Sequence, residues 1–136
     1  MMKYLLLPVL GLICWSCNQQ DSYTKATDAQ DAGREFIRAS LDGDLKKAKF
    51  YLLKDSANLD LLDTWKRKHY DQLNNDDRRQ YRDAQIRPIS IEPVNDSVVN
   101  YVFTNSFKEK DTTVLSVVKV NGEWLVDFKQ VHGFKH

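Results

Sequence analysis

The hydrophobic period of this chain changes once, after Ile86. Before that point apolar residues recur every three or four positions, as on one face of a helix; beyond it they alternate, as on a strand with one buried side. Helices followed by short strands in succession predict an antiparallel meander with the helices covering one of its faces. The expected fold class is therefore α+β, with N-terminal helices packed on a four-stranded antiparallel meander.

Local signals place the elements. Ala29, Ala32, Gly33, Phe36, Ile37, Ser40 and Leu41 form a helix stripe, with Gln30, Asp31, Arg34, Glu35 and Arg38 opposite it toward solvent. In Asp42-Gly43-Asp44, the glycine can take the left-handed conformation that ends a helix, and Asp44 can cap the next one. That second helix is expected from Leu45 to about Leu53, with Ala48, Tyr51 and Leu52 inward and Lys46, Lys47 and Lys49 in solvent. Ser56 is the expected cap of a third helix that presents Leu59, Leu62, Trp65, His69 and Leu73. Asn74-Asn75-Asp76-Asp77 interrupts it before Tyr81 and Ala84 resume the pattern.

Among the strands, Ile89 and Ile91 alternate between Pro88 and Pro93, which mark an edge or irregular strand. Val98 to Ser106 places Val99, Tyr101 and Phe103 on one face, and Thr112 to Val120 follows. Glu123 to Val131 sets Trp124, Val126 and Phe128 on one face and Leu125 and Val131 on the other. Between these last two strands Asn121-Gly122 predicts a type I′ hairpin, which needs positive φ at both central residues.

Two segments carry a resemblance. The stretch Phe36-Ile37-Arg38-Ala39-Ser40-Leu41-Asp42-Gly43-Asp44-Leu45-Lys46-Lys47-Ala48-Lys49 resembles the opening of nuclear-transport-factor-2-like domains. Val117-Val118-Lys119-Val120-Asn121-Gly122-Glu123-Trp124-Leu125-Val126-Asp127 is similar to their closing hairpin. The resemblance implies a cone-shaped domain over residues 26–131, with a pocket between curved sheet and helices. Its relatives include isomerase-like and cyclase-like enzymes, dehydratases, and binding or oligomerisation modules, so it identifies shape and not chemistry.

The aromatics Tyr51, Trp65, Tyr101, Phe103, Trp124 and Phe128 lie on apolar stripes and are core residues first. In the implied cone, Tyr51, Trp65, His69, Tyr101, Phe103 and Trp124 become ligand-pocket candidates, and Trp65 and Trp124 are expected to face each other across the interior. An isomerase-like site needs a carboxylate base and a hydrogen-bond donor. Tyr51, Tyr70, Tyr81 and Tyr101 are possible phenols, and Asp55, Asp60, Asp63 and Asp83 possible carboxylates, but none sits in a motif that assigns it a catalytic role.

The first sixteen residues resemble the bacterial lipoprotein export signal. Lys3 supplies the positive start, Tyr4 to Ile13 the apolar run, and Ser16 the small residue before Cys17. The resemblance implies that residues 1–16 are removed and that Cys17 becomes the acylated N-terminus, joined to the domain by a polar tether over residues 17–25. The apolar run is shorter than the ~20 residues of a spanning helix. Removing Lys3 lowers Lys plus Arg from 20 to 19, against 19 Asp plus Glu, so the mature chain is formally neutral.

A neutral domain has no net field to attract nucleic acid. Lys66-Arg67-Lys68 and Arg78-Arg79 with Arg82 are balanced by the acids interleaved with them between Asp60 and Asp83. With Cys14 removed and Cys17 acylated, no disulfide or thiolate metal site remains. His69, His132 and His136 lack metal-ligand spacing, and residues 132–136 form a short tail. No cofactor or metal is expected.

These observations converge on an envelope lipoprotein, held in the outer membrane facing the periplasm, with a non-catalytic module for a small apolar ligand or a protein partner. The alternatives are an assembly module forming a homodimer through its sheet, and an isomerase- or cyclase-like enzyme.

Overall fold

A computed structural model describes residues 23–132. The expected signal segment, Cys17 and residues 133–136 lie outside the described residues. The architecture is α+β: four α-helices precede a four-stranded antiparallel sheet of order β1-β2-β3-β4.

Helix α1 spans Ala29–Asp42, started by Asp28, whose carboxylate accepts from the Asp31 N–H at 2.7 Å. Gly43 ends it at φ 70°; its N–H donates to Ser40 O and that of Asp44 to Ala39 O, the paired bonds of a Schellman cap. Asp44 then caps α2, Leu45–Phe50, by accepting from Lys47 N.

Helix α2 stops short of the expected Leu53 because the next backbone groups turn to the sheet. Val126 N donates to Tyr51 O and Leu53 N to Val126 O, both at 2.8 Å, so residues 51–53 lie along the last strand. Its lysines are also less free than expected. Lys47 pairs with Glu35 of α1 at 2.7 Å, and Lys49 lies 3.2 Å from Asp63.

Helix α3 covers Ser56–Lys68. Its cap is Asp55 rather than Ser56: the Asp55 carboxylate accepts from Asn58 N at 2.8 Å, and Ser56 is the first helical residue. His69 and Leu73 fall beyond its end, on either side of a 3-10 turn at Tyr70–Gln72. Asn74 caps α4, Asn75–Asp83, whose first turn carries Asp76 and Asp77, acids that suit the positive end of the helix dipole.

Strands β1, Ile86–Asn95, and β2, Val98–Asn105, pair with two irregularities, at Pro88/Ser90 and Pro93/Asn95. Strands β3, Thr113–Val120, and β4, Glu123–His132, are joined by Asn121 at φ 51° and Gly122 at φ 77°, the two positive values that a type I′ turn requires. His132, expected in the tail, still pairs with Val114.

The core lies between α1 and one face of the sheet. Ala32, Phe36 and Ile37 are buried together with Val99, Tyr101, Phe103, Leu115, Val117 and Val126. At Gly33 a Cβ would stand 2.9 Å from Tyr101 Cδ1, so glycine here lets α1 settle onto β2 without displacing that ring.

The alternation of β4 is broken. Ser116 pairs with Asp127, but Val114 pairs with His132, so β4 carries a bulge in between. The extra residues change which way the strand presents its last side chains. Val131, expected on the face opposite Phe128, lines the same cavity as Phe128.

Candidate functional site

A cavity of about 760 Å³ opens between the helices and the sheet. Phe103, Leu115 and Phe128 come from the sheet; Phe36, Ile37 and Leu41 come from α1, and Trp65 from α3. The walls are held by the fold's own packing: Phe36 and Phe128 have ring centroids 5.8 Å apart, and Trp65 and Tyr70 have theirs 6.2 Å apart. The volume falls in the ~300–1,000 Å³ range of small-molecule sites.

Polar groups come from the wall elements, among them Ser40, Thr64, Lys68 and Lys129, and from the segments around them. The 3-10 turn and its flanks contribute His69 and Tyr70, α4 contributes Tyr81, and the loop from β2 to β3 contributes Lys108 and Asp111. That loop is built on side chains that accept or donate at its base. Asn105 Oδ1 accepts from Phe107 N and Lys108 N, and the Thr104 hydroxyl lies 3.0–3.1 Å from the carbonyls of Lys108, Glu109 and Asp111. The Lys108 ammonium stands 5.6 Å from the centroid of the Tyr81 ring. A hydrogen bond with Tyr81 raises the Lys108 pKa above 10.5, against the opposing effect of burial.

The six sequence candidates divide. Trp65, His69 and Phe103 line the cavity together. Tyr51 lies in a separate polar groove of about 390 Å³ with Asp31, Glu35 and Lys47, where its hydroxyl donates to Thr24 O at 2.8 Å. Burial, followed by the nearby Glu35 carboxylate, raises the Tyr51 pKa. Tyr101 is wholly buried beneath Gly33, stacked on Phe103 with centroids 5.6 Å apart, and takes no part in the cavity lining.

Trp124 does not face Trp65 across the cavity. It pairs opposite Lys119, whose ammonium lies 5.6 Å from its ring, beside the closing turn. Phe128 is four residues further along β4, roughly 13 Å at the usual rise of an extended strand, which separates Trp124 from the cavity. Tyr23 and Thr24, expected in the tether, touch the domain: the Tyr23 ring lies 5.4 Å from that of Phe50, and Thr24 accepts the Tyr51 hydroxyl.

Two polar arrangements support the cavity, and neither carried a sequence signal. Asn58 is completely buried on α3; its Nδ2 donates to Asp127 Oδ1 at 3.1 Å and its Oδ1 accepts from Lys129 N at 2.9 Å, which ties α3 to the β4 bulge. Lys129 Nζ pairs with Asp55, and Asp127 lies 3.5 Å away. Arg38, expected in solvent, reaches across to the end of α4. It donates to the carbonyls of Ala84 at 2.6 Å and of Tyr81 and Arg82 at 2.9 Å, groups that no further helical turn would satisfy.

None of Asp55, Asp60, Asp63 and Asp83, the carboxylates considered as bases, lines the cavity, although Tyr70 and Tyr81 do. Among the described residues no group of three or more histidine, cysteine or acidic side chains is placed to hold a metal ion, and no helix is long and apolar enough to cross a membrane. No family model matches the chain, and no curated protein or solved structure is significantly similar to it.

Proposed function

We propose that this chain is an envelope lipoprotein, acylated at Cys17, whose domain is a nuclear-transport-factor-2-like cone that holds a small apolar ligand without transforming it. The observation that carries the reading is the cavity itself. It is large enough for a ligand, its walls are mostly hydrocarbon and aromatic, and Asp111 is the one carboxylate among its lining residues. Such a site can desolvate an apolar molecule by enclosing it, and Asp111, on the loop from β2 to β3, is the single lining carboxylate in place of the several acidic side chains considered as bases. A helix layer over one face of an antiparallel meander, with a Schellman-capped first helix and an Asn-Gly closing hairpin, supports the cone.

The neutral, environment-sensitive probe N-phenyl-1-naphthylamine tests the binding reading. Added to the full chain, it is expected to brighten saturably at one site per molecule. Thr64→Trp, which places a large ring at the cavity wall, should abolish the response without lowering the melting temperature, and Trp124→Ala should leave it intact. A wild-type protein that gives no saturable response refutes the reading.

A further inference from the structure

The charges around the cavity narrow the class of ligand, on the premise that the cavity binds one. Lysines outnumber acids in the lining, with Lys68, Lys108 and Lys129 set against Asp111. Lys129 is committed to Asp55 and Asp127. Lys68 and Lys108 form no ion pair among the described residues, whereas their neighbour Lys66 is paired with Asp71 at 2.8 Å. Lys108 is also held in place: Asn105 fixes its backbone N–H at 2.8 Å, and its ammonium lies over the Tyr81 ring. A positioned cation beside an apolar enclosure is complementary to a molecule with a hydrocarbon body and a negative end.

We propose that the cavity takes a single-chain amphiphile with an anionic head, its chain lying between α1 and the sheet and its carboxylate or phosphate meeting Lys108 and Lys68. The walls supply affinity through burial of the chain. The two lysines supply the preference for charge, because neither is held in an ion pair and a neutral head adds nothing to the field of Asp111 and Asp77 that Lys108 already feels.

Displacement of N-phenyl-1-naphthylamine from the full chain by palmitate, palmitoyl-lysophosphatidylglycerol and the neutral hexadecanol, all below their aggregation limits, tests this. At least one anionic ligand is expected to compete at concentrations about tenfold lower than hexadecanol, equivalent to roughly 1.4 kcal/mol. Palmitate alone would identify a carboxylate head, and the lysolipid alone a phosphate. The double variant Lys68→Gln, Lys108→Gln should lose the anionic advantage and keep hexadecanol competition. In the wild-type protein, raised salt should shrink the same advantage, a readout independent of how the variant folds. Equal competition by all three ligands, or an advantage that survives both the double variant and salt, overturns the anionic assignment and leaves the binding reading standing. Absence of saturable probe uptake removes both.

Discussion

Tyr101 combines two opposed contributions in one side chain. Its ring is fully buried against Phe103 and beneath Gly33, while its hydroxyl has no hydrogen-bond partner among the described residues. Burial raises its pKa, so the phenol stays neutral. A buried hydroxyl without a partner forfeits ~1–3 kcal/mol relative to water. Tyr101→Phe is therefore expected to stabilise the domain by about 1 kcal/mol, seen as a higher denaturant midpoint with an unchanged slope. A lower midpoint would mean that the hydroxyl is satisfied in solution. Gly43 shows the opposite constraint. Its positive φ is strained for other residues, and a Cβ there would collide with the Tyr70 ring.

The elements are joined by a few polar bridges rather than by their stripes alone. At the start of α3, Asp55 serves two purposes, capping the helix and pairing with Lys129 of β4. Lys129, then the Asn58 N–H, hold the Asp55 carboxyl below its ordinary 3.8. A depressed carboxylate contributes stability that is fully present above the unfolded value and is lost as pH falls through the folded one. Asn is also an effective cap, so Asp55→Asn removes the charge and retains the cap. The variant should melt below the wild type at pH 7, and the gap should close as pH falls below about 4. A gap that persists at pH 2 would assign the effect to geometry and not to charge.

The same bridges mark the limit of what sequence reading reaches. Periodicity, the Gly43 stop and the Asn121-Gly122 turn depend on residues within a few positions of one another, and each is where local physics places it. Arg38 finds Ala84 across 46 residues and Asn58 finds Asp127 across 69, so neither partner is visible until the chain has folded. Val131 departs from its expected face for a related reason. A strand's facing follows a period of two only where it is regular, and the Asn58 contacts lie at the bulge that breaks the period. Trp124 shares its strand face with Phe128 but not its position along the strand, and so falls outside the cavity in which the implied cone would have set it.

At the scale of the molecule, chain length limits how far the proposed anchor can lie from the domain. Six Cα steps separate Cys17 from Tyr23, whose ring packs on Phe50, and at most ~3.6 Å per step keeps the Tyr23 Cα within about 22 Å of the Cys17 Cα. If Cys17 carries the lipid, the wild-type chain should partition into detergent and Cys17→Ala should not. Retention of Cys17→Ala in the membrane fraction would point to another anchor. A soluble Cys17→Ala protein should still take up the neutral probe, since none of the cavity-lining residues lies near position 17 in the chain.

Under the proposed acylation at Cys17, the seating of residues 51–53 against β4 acquires a particular meaning, that of a protein held at a surface. Confinement to two dimensions raises the effective concentration of each copy around its neighbours. An open row of strand amides then becomes a template on which copies stack. Here Tyr51 and Leu53 already occupy the backbone groups of Val126 at one margin of the sheet. At the other, Pro88, Pro93 and two register breaks interrupt the row of donors that a neighbouring strand would need. A crowded leaflet could thus carry many copies of this domain side by side without their sheets fusing into a ribbon.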